Sequence, residues 1–100
     1  MKVYLDDTRE APEGWVRCYW PSEVIALLQE ECVTELSLDH DLGDDVRGTG
    51  YDVLLWLEGA VSSGFEPPKR IVIHSANASV WRKMSLAIDS IQKLHRRNSG

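Results

Sequence analysis

Three short apolar segments of this chain end in the same way, each turning polar at its C-terminal side. Val3-Tyr4-Leu5 runs into Asp6-Asp7. Glu35-Leu36-Ser37-Leu38 runs into Asp39-His40-Asp41, and Arg70-Ile71-Val72-Ile73 runs into His74-Ser75, with Asn77 close behind. Stretches with helical spacing separate the segments. Strands that alternate with helices are joined by right-handed crossovers into a parallel sheet. The expected fold is therefore α/β: a small, three-layer, mainly parallel sheet of about four strands. In such sheets, ligands bind at the carboxyl edge, where strands feed loops. The three polar strand ends should meet on one rim.

The remaining elements follow from periodicity and turn signals. Thr8–Trp15, with Pro12 and Gly14, lacks a helical period and reads as a loop. Arg17-Cys18-Tyr19-Trp20 is the candidate second strand, and Pro21 suits the first turn of a helix. Val24, Leu27, Leu28 and Cys32 would share one face of that helix. Tyr51–Val61 resumes the helical spacing, with Val53, Leu57 and Val61 in line, until Gly64 and Pro67-Pro68 end it. Ala78–Leu94 is the last helix, with Trp81, Met84, Ile88, Ile91 and His95 along one side. No repeat or low-complexity tract interrupts residues 1–100, which read as a single domain.

Composition narrows the function. The longest apolar run, Val53–Leu57, is far short of a membrane span of about 20 residues. Cys18 and Cys32 lack paired zinc-ligand spacing, and the N-terminal residues show no secretory signal, so a cytoplasmic protein with reduced cysteines is expected. The net charge of −5 argues against a duplex-DNA binder, because phosphate affinity comes from Lys and Arg. The charge is unevenly spread: one acid, Asp89, accompanies five bases in residues 71–100, against fifteen acids and six bases in residues 1–70. An acidic body beside a basic segment can gather a cation and an anionic ligand together.

The rim residues suggest chemistry by type. Asp6, Asp7, Asp39 and Asp41 offer hard oxygen donors for Mg²⁺ or Mn²⁺. His40 and His74 titrate near neutrality and suit general acid–base work, or could ligate a softer metal. Ser75 and Asn77 can hydrogen-bond phosphoryl oxygens beside the start of a helix, and Arg9 can offset phosphate charge. Each has a plainer reading: Asp6 or Asp7 as the start of a turn, Asn77 as a helix cap, either histidine as a structural residue.

These residues resemble the receiver domain of two-component response regulators. Asp6-Asp7 matches the acidic pair after the first strand, Asp39 the phospho-accepting aspartate, Gly50 the glycine before the next helix, and Ser75-Ala76 the end of the fourth strand. The chain departs from receivers in three ways. The loop Thr8–Gly14 stands where they have a first long helix, no fifth strand with a terminal Lys follows residue 77, and His40 and His74 are added. The combination Leu5-Asp6-Asp7-x-Arg9-x-x-Pro12, Ser37-Leu38-Asp39-His40-Asp41-Leu42-Gly43 and His74-Ser75-Ala76-Asn77 is similar to the cyclic-phosphate processing receiver domains of bacteria and phages. That resemblance implies a reduced receiver-like fold acting on a phosphodiester or cyclic phosphate.

The resulting expectation is a metal-assisted phosphoesterase-like hydrolase. Asp6, Asp7, Asp39 and Asp41 would hold a divalent cation, Asp39 would take part in the chemistry, and His40 and His74 would move protons. Ser75, Asn77 and Arg9 would bind phosphate on a small molecule or an RNA end. The rivals are a signalling receiver phosphorylated on Asp39 and a non-enzymatic nucleotide- or protein-binding module.

Overall fold

The computed structural model describes residues 1–7, 9–30, 32–39, 48–74 and 78–99. Four strands, β1 (Lys2–Leu5), β2 (Trp15–Cys18), β3 (Glu35–Leu38) and β4 (Arg70–Ile73), alternate with three helices, α1 (Pro21–Gln29), α2 (Gly50–Ser62) and α3 (Ala78–Ser99). All strand pairs are parallel, in the order β2-β1-β3-β4. No helix among the described residues is long and apolar enough to cross a membrane.

Register sorts the strand residues onto two faces. Val3, Leu5, Cys18, Leu36 and Leu38 point one way and are buried, packing with Val24, Leu28, Val53, Leu54, Leu57, Val61, Met84, Ala87 and Ile91 of the helices. All three helices thus feed one core. α1 lies beside α2, and α2 beside α3. The opposite face presents Trp15, Lys2, Glu35 and Arg70 in one row and Arg17, Tyr4, Ser37 and Val72 in the next. No helix among the described residues covers it.

Among the described residues, then, all three helices lie on one face of the sheet. A right-handed β1-to-β2 connection moves against the direction of the others across the sheet and would place its helix on the second face. Here that connection, residues 6–14, has no helix among its described residues. Other boundaries shift for local reasons. β2 spans Trp15–Cys18 rather than residues 17–20, because Trp20 caps α1 and the Glu23 carboxylate accepts hydrogen bonds from Tyr19 N and Trp20 N at 3.0 and 3.1 Å. α1 stops at Gln29, leaving Cys32 beyond its last turn. Gly64, at φ 103°, ends α2 by giving its N–H to the Val61 carbonyl. α3 runs on to Ser99, five residues past the expected Leu94. Its Trp81, expected on the apolar side, is 51% exposed, because β4 is an edge strand among the described residues and offers the indole no neighbouring strand there.

Candidate metal centre

The sheet ladder continues one residue past three strand ends. Asp6 N donates to Cys18 O, Asp39 N to Leu5 O, and His74 N to Leu38 O, at 3.0–3.1 Å. Asp6, Asp39 and His74 therefore stand side by side on adjacent strands, as the next row of the grid. Side chains alternate along a strand, and their neighbours Leu5, Leu38 and Ile73 lie on the core-facing side. The three polar side chains must point to the helix-free face. Their donor atoms lie within 4.8 Å of one another.

Asp6 is fully buried. One carboxylate oxygen accepts Arg9 N at 2.9 Å and so begins the following turn; the other faces His74 Nε2 at 3.2 Å. The turn-forming and functional readings of Asp6 thus coexist, one on each oxygen. Arg17 Nε donates to the Asp6 carbonyl at 3.3 Å, and Arg9 reaches the His74 carbonyl at 3.5 Å. Arg9 thereby brings a cation to the edge of the cluster.

His74 is gripped on every side. Nδ1 is 2.7 Å from Ser37 Oγ, and the ring stacks on Tyr4 with centroids 4.3 Å apart and planes 5° from parallel. Burial lowers its pKa below the ordinary histidine value, winning over the opposing pull of the Asp39 and Asp6 carboxylates; Arg9 adds a smaller lowering. A neutral imidazole between an obligate acceptor and a hydroxyl gives Nε2–H to Asp6 and accepts Ser37 Oγ–H at Nδ1. The hydroxyl can also accept, so the other tautomer, with Nε2 available for a metal, is accommodated without moving the ring.

Two carboxylates and a neutral imidazole suit a divalent cation. The nitrogen donor favours Mn²⁺ and its first-row neighbours more than Mg²⁺, which prefers oxygen alone. Of the residues expected at the site, the structure brings together Asp6, Asp39 and His74, with Arg9 at their edge. Asp7, half-buried, is not part of the donor group. His40, Asp41, Ser75 and Asn77 lie outside the described residues. Sequence reasoning passes over Ser37 and Tyr4. The signal for Ser37 is there to be read: a hydroxyl alone between two leucines of a buried strand needs a partner. Tyr4 carries no such mark.

Gly50, the first residue of α2, fixes the row from the core side. A Cβ there would fall well inside van der Waals contact with the Asp39 carbonyl oxygen and 3.1 Å from Met84 Cε. The glycine is needed for space, so that the helix can abut the backbone that carries Asp39.

No curated protein and no solved structure gives a significant match to the chain. A family model does: that of the cyclic-phosphate processing receiver domain matches residues 1–90. The reduced parallel sheet, the acidic strand ends and the histidine beside them agree with that match, and the chain belongs to the cyclic-phosphate processing receiver domain family.

Proposed function

We propose that the domain hydrolyses a phosphodiester or cyclic phosphate with the help of a divalent cation held by Asp6, Asp39 and His74. The observation that carries this reading is the meeting of those three donors in one row. A bound cation would supply charge neutralisation for the phosphate and a water of lowered pKa. The protein's own groups do the rest. Ser37 and Tyr4 hold the His74 ring in place, and the Asp6–Arg9 turn fixes the first carboxylate. Gly50 lets α2 seat the second, and Arg9 offsets negative charge on the substrate.

Ser37 holds Nδ1 of His74 in either tautomer, so in this reading the ring ligates through Nε2 with the proton on Nδ1 and orients the cation rather than shuttling protons. Proton transfer is assigned to His40, and phosphate contacts to Ser75 and Asn77, from their sequence positions beside the row. Asp7 and Asp41 are reserve carboxylates at the same strand ends. The test is turnover of a nucleoside 2′,3′-cyclic phosphate and of bis(p-nitrophenyl) phosphate with Mn²⁺. Hydrolysis that stops with chelator and in Asp39→Asn is expected. Equal rates in wild type and Asp39→Asn would overturn the reading.

A further inference from the structure

The helix-free face does not end at the acidic row. On β1 and β2, below Asp6, stand Tyr4 and then Trp15, edge to face with ring centroids 6.3 Å apart. Tyr19 follows Cys18, which pairs with Leu5 beside Asp6, and is 44% exposed. Two of the three rings carry a cation: Lys2 Nζ lies 5.8 Å from the Trp15 ring centre, and Arg17 Cζ 4.4 Å from that of Tyr19. Glu35 ties Lys2 in place at 3.3 Å. The chain's net charge is −5, yet this face sets two bases against its rings.

Aromatic rings on an open sheet stack nucleobases, and interleaved Lys and Arg neutralise the phosphates between them. We infer that this face binds single-stranded nucleic acid, with Trp15 as the stacking platform and a terminal phosphate at the Asp6–Asp39–His74 row. The inference rests on the phosphoesterase reading for the position of that phosphate. The Trp15 ring is one ring removed from the row: its centroid is 6.3 Å from that of Tyr4, which stands 4.3 Å from that of His74. A strand of several nucleotides can set a base on Trp15 while Lys2 and Arg17 neutralise the phosphates beside it. Tyr4 is already stacked on His74, which leaves Trp15 and Tyr19 to take bases, and of these Trp15 is the one held within a strand of the sheet. A duplex cannot use the platform, because its bases are stacked on each other.

The test is fluorescence anisotropy of a labelled single-stranded decaadenylate RNA titrated with the full chain in Mn²⁺, with adenosine monophosphate as competitor. Trp15→Ala should weaken RNA binding roughly tenfold, and Trp15→Phe, which keeps a ring, should restore most of it. Both variants should bind Mn²⁺ calorimetrically like wild type, which excludes misfolding as the cause. Wild type that ignores the RNA, Trp15→Ala that binds it unchanged, or adenosine monophosphate that matches its affinity would each overturn the platform. If those results came with intact Mn²⁺ binding and hydrolysis of bis(p-nitrophenyl) phosphate, the phosphoesterase reading would survive. Trp15-dependent RNA binding without any Mn²⁺ binding would instead sink that reading and keep the platform.

Discussion

Gly50→Ala sets two effects of known size against each other. In an open helix interior, alanine is favoured over glycine by up to about 1 kcal/mol, through lower backbone entropy cost. At Gly50 the added methyl meets the Asp39 carbonyl oxygen and Met84 Cε. The methionine end can swing aside, but the carbonyl belongs to the row Asp6–Asp39–His74 and can yield only if β3 and α2 separate. Overpacking of this kind costs about 1–3 kcal/mol, so the clash wins, and a net loss of about 1–2 kcal/mol is expected. For a chain of this size that is a fall in Tm of roughly 4–15 °C. Displacement of Asp39 should also weaken Mn²⁺ binding by about tenfold, the usual cost of disturbing what orients a ligand. Gly59 is the internal control. It lies in the same helix, is exposed, and a methyl added there would have nothing within 4 Å. Gly59→Ala should therefore stabilise by about 1 kcal/mol without changing Mn²⁺ affinity. Urea unfolding and calorimetric Mn²⁺ titration read both quantities. Gly50→Ala that behaves like Gly59→Ala would refute the claim that α2 seats the carboxylate.

The two cysteines should differ sharply toward a thiol reagent. Burial raises the Cys18 pKa to about 11, with Glu23 adding to the shift. Only about one molecule in a thousand then holds a thiolate at pH 8, and half-buried Cys32 should react first; equal rates for the two in the folded protein would contradict this. Without added metal, stability should rise with pH across the histidine range. The His74 pKa is lowered on folding, so the unfolded chain binds the extra proton, and stability falls as pH drops below about 6.5 until the folded value is passed. Urea midpoints against pH should show that slope reduced in His74→Asn, and an unchanged slope would assign it to other groups. Ser37→Ala leaves His74 Nδ1 without its 2.7 Å partner and should weaken Mn²⁺ binding about tenfold while the domain stays folded; wild-type affinity would remove the positioning role. Incubation with acetyl phosphate should give no stable mass gain, and a gain lost in Asp39→Asn would favour the signalling alternative.

Much of this is legible in the sequence because its physics is local. A short apolar strand that turns acidic or polar at its end identifies both the strand and the rim, and Asp6, Asp39 and His74 are each marked that way. The four strands and three helices follow from periodicity and from Pro21, Gly64 and the Pro67-Pro68 pair. What escapes depends on register across strands. That Asp6, Asp39 and His74 form a single row on the helix-free face cannot be read until β1, β3 and β4 are aligned, since a slip of one residue reverses every side chain. The same alignment brings Ser37 and Tyr4 to His74, although both are distant from it in sequence. That the described helices share one face escapes for a related reason. The Thr8–Gly14 segment reads as a loop standing in for a helix, but its effect on the opposite face becomes plain only with the strand order.

The most direct test of the central claim is calorimetric titration of Mn²⁺ into wild type, Asp6→Asn, Asp39→Asn and His74→Ala, with folding checked by circular dichroism. The account predicts one site per chain in wild type, lost in both carboxylate variants and at least about tenfold weaker without the imidazole. Folded wild type that takes up no Mn²⁺, or Asp39→Asn that binds it as wild type does, would contradict the account.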